Sequence, residues 1–352
     1  MNKLMRYSLL ILIFIFLVFG FFLVFITVTD YQPEERETLY LSDNHDYFLP
    51  DTNEYTALIW NIGYAGLGEN MDFFYDGGVH VRDTYENTLG NLSKIKGFIS
   101  GMDTVDFILL QEVDRGSKRS YFLDMKDTLT SVLSGYHSYF APNYKVFHVP
   151  VPPKRPMGKV FSGLLSLSEP KPYGAFRYSF PGNYTWPKSL FMLDRCFLVS
   201  RYKLKNKKDL IIINTHNSAY DEDGELRREQ MNFLKKFLKE EYANGNYLLV
   251  GGDWNQTPYN FQPDFENNVF DAENLQYIPD AFMPEGWTWH YRADIPTNRR
   301  VKTPYHYTSS PTTVIDFFLV SPNLKVSALE TLDMNFKYSD HQPVFIKFKL
   351  ED

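Results

Sequence analysis

The chain has a single cysteine, Cys196, among its 352 residues, so no disulfide can form within it. It also contains no glycine-rich phosphate loop, no CxxC or HExxH motif and no Ser-His-Asp spacing. These absences argue against a P-loop nucleotide enzyme, a zinc protease and a serine hydrolase. The formal net charge of −7 gives no general basic surface, so nucleic-acid binding would need a local patch or a metal ion. We interpret Cys196 as a small buried hydrophobe.

One long hydrophobic run is present near the start of the chain. Leu9 to Ile26 is apolar apart from Gly20, which is about the length needed to cross a bilayer core of roughly 30 Å. Lys3 and Arg6 precede this run and acidic residues follow it, so the positive-inside rule predicts a cytoplasmic amino terminus and an exported remainder. We therefore predict a single-pass, membrane-anchored protein whose catalytic domain is extracytoplasmic. A cleaved signal peptide is the alternative.

The rest of the chain has the composition of a globular protein, with 44% apolar and 17% aromatic residues. We predict an anchor over residues 1–29, a polar linker over 30–53 and a catalytic domain over 54–352. Helices are expected over 82–102, 118–133 and 225–242 from their apolar spacing. Residues 139–156 and 170–191, rich in aromatics and proline, are expected to be a rim loop and a rim insertion.

The most informative stretch is GGDWNQTP, which begins at Gly251 and follows the apolar strand Tyr247–Val250. Asp253 and Asn255 are two residues apart, so in an extended segment both side chains would point the same way. A carboxylate and a carboxamide at that position can orient a water molecule and hold a polar oxygen. An Asx turn that merely closes a loop is the alternative interpretation.

Other predicted strands also end in, or contain, polar residues. These are Asn61 after 55–60, Glu112 after 105–110, His216 after 210–214, Asp316 within 314–320, and Asp340 with His341 before 344–347. A turn residue, a rim salt bridge or a structural histidine would explain any one of them. A buried carboxylate such as Asp316 requires a partner, which we expect in the motif that contains His341.

Carboxylates and carboxamides dominate this set, with two histidines beside them. Oxygen-rich ligands of this kind suit Mg²⁺ or Mn²⁺ better than zinc. The sequence therefore predicts a Mg²⁺ (or Mn²⁺) cofactor.

At this point the chain resembles a known family, the endonuclease/exonuclease/phosphatase superfamily of DNase I-like nucleases, neutral sphingomyelinases and inositol-polyphosphate 5-phosphatases. The matching motifs occur in the family's order: WNIG at Trp60, LLQEVD at Leu109, NTH at Asn214, GGDWN at Gly251, IDFFLV at Ile315 and SDHQPV at Ser339. The resemblance implies a four-layer α/β sandwich in which two mixed β-sheets lie face to face with helices outside, in addition to the transmembrane helix.

The resemblance also implies roles for the motif residues. Glu112 would be the main metal ligand, with Asn61 and Asp340 completing the site. Asp253 and Asn255 would orient the attacking water and a phosphate oxygen. His341, held in its tautomer by Asp316, would act on the water or the phosphate, and His216 would contact the phosphate. Either Asp253 or His341 would be the general base.

Three functions remain open from the sequence. The first is a membrane-tethered, metal-dependent phosphodiesterase or phosphatase acting on a lipid headgroup or another small phosphoester. The second is a DNase I-like endonuclease that uses the basic cluster Arg292, Arg299, Arg300 and Lys302. The third is a catalytically inactive binding module. No protein partner is predicted.

Overall fold

Two large β-sheets lie face to face in the computed structural model of the chain, which describes residues 3–42, 47–50, 54–219, 221, 224–266, 269–271 and 275–351. The helices are α1 (Lys3–Val28), α2 (Tyr85–Ser100), α3 (Met125–Thr130) and α4 (Glu225–Ala243). The strands are β1 (Arg36–Leu41), β2 (Tyr55–Asn61), β3 (Phe107–Asp114), β4 (His137–Val149), β5 (Gly158–Ser168), β6 (Gly174–Ser179), β7 (Cys196–Lys203), β8 (Asp209–His216), β9 (Tyr247–Asp253), β10 (Val269–Phe270), β11 (Thr288–His290), β12 (Asn298–Arg299), β13 (Pro311–Thr313), β14 (Asp316–Val320), β15 (Leu324–Thr331) and β16 (Val344–Leu350).

Both large sheets are mixed. One has the strand order β1-β6-β7-β8-β9-β14-β11, and the other has the order β15-β16-β2-β3-β5-β4. The parallel pairs are β8 with β9 and β2 with β3, while their other neighbours within these sheets are antiparallel. A small sheet of β10, β13 and β12 lies apart from them in the strand order.

The inner faces of the two sheets pack on each other through fully buried apolar side chains, including Ile59 and Leu109 from one sheet and Ile212, Leu249 and Phe318 from the other. Complete burial of such a side chain contributes about 1.5–3 kcal/mol. This shared core is the reason why the strands read as continuous apolar runs and not as an alternating pattern.

Helices cover the outer faces. Leu92, Ile95 and Ile99 of α2 pack on the outer face of the β2–β3 sheet, and Leu234 and Leu238 of α4 pack on the outer face of the β8–β9 sheet. Their spacing of three and four residues places them on one side of each helix. The four-layer α/β sandwich predicted from the sequence is therefore confirmed.

Helix α1 is long and apolar enough to cross a membrane, a property that it shares with signal sequences. Its side chains are exposed along almost its whole length, and Ile26 in its last turn is buried. Such a helix is unsuited to water as a solvent, because its apolar surface faces outward on all sides.

Four segments differ from the sequence-based expectation. The range 30–53, expected to be a linker, contains strand β1, which pairs with β6 as an edge strand; its residues 43–46 and 51–53 lie outside the described part. The range 139–156, expected to be a rim loop, is mostly strand β4. The range 118–133, expected to be one helix, contains a 3-10 helix at Lys118–Ser120 and the short helix α3. The range 170–191, expected to be a rim insertion, contains strand β6, which lies between β1 and β7 in the sheet. Edge strands with exposed polar or aromatic residues lack the uniform hydrophobic pattern of central strands, which explains the first two errors.

Gly252 provides a test of the packing between β8 and β9. It has φ of 148°, and a Cβ atom added there would lie 2.0 Å from the carbonyl oxygen of Thr215. We expect Gly252→Ala to lower the free energy of unfolding by about 3 kcal/mol or more. The measurement is urea denaturation of the full chain in detergent micelles, followed by tryptophan fluorescence.

Gly90 is the matched control for this substitution. It lies on the exposed side of α2, and an added Cβ there meets no atom within 4 Å among the described residues. Gly90→Ala should therefore be neutral or stabilising by up to about 1 kcal/mol. Equal denaturation midpoints for the two variants would contradict the close approach of β8 and β9.

Candidate active site

The pairing register of the strands brings distant polar residues to one end of the sandwich. His216 at the end of β8 is level with Asp253 at the end of β9, and Asp253 in turn is level with Asp316 at the start of β14. In the opposite sheet Asn61 is level with Gln111. We call this end of the sandwich the catalytic mouth, defined by Asn61, Glu112, His216, Asp253, Asp316, Asp340 and His341.

The Asp253 carboxylate is the centre of the mouth and is almost fully buried. Its Oδ2 accepts a hydrogen bond from Asn61 Nδ2 at 2.9 Å, across the two sheets. The same oxygen lies 3.4 Å from His216 Nε2 and 3.8 Å from His341 Nε2. This oxygen therefore accepts a hydrogen bond from the Asn61 amide and lies near two imidazoles.

Asn255 is placed differently from the extended geometry expected from the sequence. Its φ is 49°, and its backbone N–H donates to Asp253 Oδ1 at 2.9 Å, which is the Asx-turn geometry. Its side-chain Nδ2 donates to the carbonyl oxygen of Asn217 at 2.9 Å. The Asx turn is compatible with the contacts at the mouth, because Asp253 uses Oδ1 for the turn and Oδ2 for Asn61.

His341 is held from both sides of its ring. Nδ1 lies 2.8 Å from Asp316 Oδ2, which is the buried partner that the sequence predicted for Asp316. Nε2 lies 3.0 Å from Asn298 Nδ2 and 3.4 Å from Asn61 Nδ2. Gly63 N–H donates to Asn61 Oδ1, so the Asn61 amide can turn only its donor toward the ring. In the neutral ring these partners assign the proton to Nδ1 and leave the Nε2 lone pair facing the mouth.

The pKa values of several titratable groups in the mouth are shifted from their ordinary values. Burial opposes protonation of His341, but the carboxylates of Asp316, Asp340 and Asp253 outweigh it and hold the pKa of His341 well above its ordinary value. Burial, aided slightly by Asp253, raises the pKa of Asp316 to about 6 despite the opposing charge of His341. For His216, burial lowers the pKa well below its ordinary value, so this imidazole is neutral.

The positive charges near Asp340 do not fully offset the effects that favour its protonated form. Burial and the negative charge of Glu112 raise its pKa to about 7, although His341 and Arg299 act in the opposite direction. Gly63 makes room for this carboxylate, because a Cβ atom on Gly63 would lie 2.6 Å from Asp340 Oδ1. Crowded acidic groups of this kind are stabilised by a bound cation.

Glu112 is directed into the mouth by a β-bulge. The pairing of β3 with β5 shifts between Leu110 and Val113, and Glu112 has φ of 54°. A bulge re-aims a side chain, and a non-glycine residue with positive φ is a strain that surrounding structure must hold. Glu112 remains a quarter exposed, with Oε2 3.7 Å from Arg119 Nη2.

Arg119 was not found by the sequence analysis. Its guanidinium donates to both carboxylate oxygens of Asp114, at 3.1 and 2.9 Å, and lies 3.7 Å above the Tyr64 ring. It is buried, and its charge is the last contribution to the lowered pKa of His216, after burial, Arg195 and His341. Asn298 was also missed, since neither residue follows an apolar strand or belongs to a family motif quoted above.

Three of the four residues of the basic cluster proposed from the sequence have partners within the fold. Arg299 is fully buried and donates to the carbonyl oxygen of Gly68 at 2.7 Å. Arg292 is paired with Asp294, and Arg300 lies 3.4 Å from Asp271. These three arginines therefore have partners within the fold, whereas Lys302 of the same cluster is exposed.

Two sets of residues at the mouth could hold a divalent metal ion. Asn61, Glu112 and Asp340, which the sequence predicts as ligands, offer a carboxamide and two carboxylates, and the charge of Glu112 acts on Asp340 in addition to burial. Asp253, Asp316 and His341 also have potential ligand atoms within 4.8 Å of one another. A metal ion at the second group would have to replace the hydrogen bond between Asp316 and His341, so the physical argument favours the first group.

Solved structures with this fold are similar to the chain over most of its length. An endonuclease/exonuclease/phosphatase from Beutenbergia cavernae is 17% identical, with a TM-score of 0.56, over 85% of this chain and 72% of that one. D. rerio TDP2, solved with a single-strand DNA product, is 13% identical with a TM-score of 0.52, over 85% and 100% of the two chains. ANGEL2, a 2′,3′-cyclic phosphatase, is 16% identical with a TM-score of 0.52, over 91% and 99%.

The two-sheet sandwich, with carboxylate, amide and imidazole groups at its mouth, is the fold of a family whose members are phosphoester hydrolases. The sequence model of the Endonuclease/Exonuclease/phosphatase family matches residues 59–341, and the chain belongs to that family. Its homologues are metal-dependent phosphoesterases and nucleases. No curated protein matches the chain at a significant level.

The contact between Asp316 and His341 leads to a test of the electrostatics. In Asp316→Asn the burial of His341 remains but its nearest negative charge is lost, so the pKa of His341 should fall. The imidazolium would then deprotonate at lower pH than in the parent protein. The measurement is an NMR titration of ¹³C-labelled histidine rings in the metal-free full chain.

Asp209→Asn is the control for this titration. Asp209 is also paired, with Arg201, but it lies at the opposite end of β8 from His216. We expect the pKa of His341 to be unchanged in this variant. A pKa that stays at the parent value in Asp316→Asn would show that Asp316 does not control the protonation of His341.

Proposed function

We propose that this protein is a membrane-tethered, Mg²⁺-dependent phosphoester hydrolase with its catalytic domain on the extracytoplasmic side. The observation that carries the proposal is the hydrogen-bonded chain from Asp316 through His341 to Asn61 and Asp253, built from strand ends of both sheets. The charge pattern around α1, with Lys3 and Arg6 before it and Glu34 and Glu35 after it, supports the orientation.

In this proposal Glu112, Asp340 and Asn61 hold the metal ion, Mg²⁺ or Mn²⁺. The raised pKa of Asp340, which is due first to burial and then to the charge of Glu112, supports this assignment. When bound, such an ion neutralises developing charge on a phosphoryl oxygen and lowers the pKa of a bound water.

The protein's own groups position the substrate and the water. Asp253 would orient the attacking water molecule, and Asn255 fixes its carboxylate through the backbone N–H. In its neutral form His341 has an unprotonated Nε2, so Asp253 and His341 are both candidates for the general base. His216, neutral and buried, would donate a hydrogen bond to a phosphate oxygen.

The nuclease alternative has less support. Polymer binding relies on several cationic contacts to successive phosphates. Arg292, Arg299 and Arg300 already have partners in the fold, and the chain is acidic overall. We therefore do not propose nucleic acid as the substrate, and we include it as a test.

The decisive experiment measures hydrolysis by the full chain in detergent with Mg²⁺, Mn²⁺ or EDTA. Bis(p-nitrophenyl) phosphate, p-nitrophenyl phosphate, a sphingomyelin-type lipid and plasmid DNA are compared. We expect EDTA to abolish turnover and Asp253→Asn to lower kcat by about 10³-fold or more. Asp209→Asn should leave kcat unchanged, because it makes the same chemical change far from the mouth.

Glu112→Gln tests the metal assignment by a second readout. The Mg²⁺ dissociation constant, measured by calorimetry, should rise by at least about tenfold, since a ligand charge is lost. Glu169→Gln, at the end of β5 away from the mouth, is the matched control. Folded protein that binds no divalent metal would contradict the proposal, and efficient cleavage of plasmid DNA alone would favour the nuclease.

A further inference from the structure

The chain passes from α1 into the sandwich at the same end as the catalytic mouth. Arg36 at the start of β1 is level with Tyr178, and Ser179 is level with Cys196 at the start of β7. Phe197 is level with Thr215, next to His216 at the mouth. The register across the sheet therefore connects the first residue of β1 with the edge that carries the catalytic groups.

Only a short segment separates the helix from this edge. Seven residues lie between Val28 and Arg36, which span at most about 25 Å when extended. The segment is also attached to the domain, because Ser179 N–H donates to the carbonyl oxygen of Glu35 at 2.8 Å. Lys145 lies 4.7 Å above the ring of Tyr31 in the same segment. The catalytic domain is thus not suspended from a long free stalk.

The last turns of α1 also contact the domain directly. Trp186 Nε1 donates to Thr27 Oγ1 at 3.2 Å, and the rings of Phe25 and Phe147 meet edge to face at 5.3 Å between centroids. Phe147 belongs to β4, and Trp186 belongs to the segment between β6 and β7. Both elements therefore lie at the level where α1 would leave a bilayer.

Two loops project from the sandwich at this level. Strand β3 ends at Asp114, which pairs with Ser162 of β5. The β4–β5 hairpin extends beyond this point, and its last pair is Val149 with Gly158. The β6–β7 segment leaves the same edge after Ser179. We define the loop surface as residues 147–157 and 181–188.

The loop surface has the chemistry of a membrane interface. Phe147, Val151 and Trp186 are 57%, 37% and 58% exposed, and Lys154 and Arg155 beside them are exposed as well. Tryptophan and other aromatic rings favour the headgroup region of a bilayer, and lysine and arginine place their charges there among anionic lipids. The neighbouring α1 supplies continuity with a segment suited to the bilayer itself.

We propose that the loop surface lies on the bilayer that α1 crosses, so that the catalytic mouth faces the lipid headgroups. The substrate class that follows is a phosphoester presented at the membrane surface. This second part rests on the proposed hydrolase function, whereas the docking of the loop surface does not.

Docking is tested by fluorescence of the full chain in vesicles of phosphatidylcholine and phosphatidylglycerol. In a Cys196→Ala background, an environment-sensitive label is attached at Val151→Cys or, as control, at Lys205→Cys in the turn between β7 and β8. We expect headgroup-level nitroxide lipids to quench the first label at least about threefold more than the second. Equal quenching at the two positions would overturn the docking.

The substrate class is tested with a charge-reversed surface. Val151→Asp combined with Lys154→Glu should lower hydrolysis of vesicle phospholipid by at least tenfold, while hydrolysis of soluble bis(p-nitrophenyl) phosphate changes by less than twofold. Lys205→Glu should change neither activity. Equal loss on both substrates, or no loss on either, would overturn the proposed role of the surface.

The two proposals fail in distinguishable ways. Parent protein that hydrolyses no phosphoester would contradict the hydrolase function and the substrate class with it, yet the quenching experiment would still decide the docking. Parent protein that hydrolyses the soluble diester but no vesicle lipid would contradict the substrate class alone.

Discussion

Crowding of buried negative charge is the constraint on which the candidate site depends. Asp253, Asp316 and Asp340 are all buried at one end of the sandwich, where His341 and, for Asp340, Arg299 oppose their negative charge. Isolated buried carboxylates are costly, so the fold must stabilise them through hydrogen bonds, protonation or a cation. The raised pKa values of Asp316 and Asp340, due first to burial, show that the described protein groups do not complete this compensation. A divalent cation bound in the mouth would neutralise the remaining negative charge.

Much of this arrangement was predictable because the sheet topology is regular. Where an apolar strand is buried on both faces, the first polar residue after it emerges at the sheet edge, and parallel neighbours emerge at the same edge. His216 and Asp253 follow this rule, as does Asn61 in the other sheet. The pairing of Asp316 with His341 was predictable for a different reason, namely that a carboxylate inside an apolar strand needs a partner.

The remaining features depend on contacts that local sequence does not encode. Asn298 reaches His341 from the small strand β12, and Arg119 reaches the mouth through a tertiary stack on Tyr64. The left-handed backbone of Asn255 arises from the Asx turn, whereas an extended chain was expected. Strand β4 was mistaken for a loop because its proline and aromatic residues are typical of rims, while its pairing with β5 overrides that composition.

Charge distribution connects the site with the anchor. A chain with a net charge of −7 is repelled as a whole from an anionic surface, so its approach to such a surface depends on where its cations lie. The arginines of the range 286–310 are held by internal partners, whereas Lys154 and Arg155 are exposed beside Phe147 and Val151 at the end where α1 enters the fold. Screening confines electrostatic attraction to about 10 Å in ordinary salt, so only these nearby cations would act on lipid headgroups. The acidic mouth beside them would attract the metal ion, and the ion would in turn supply the positive charge that a phosphoester needs to enter.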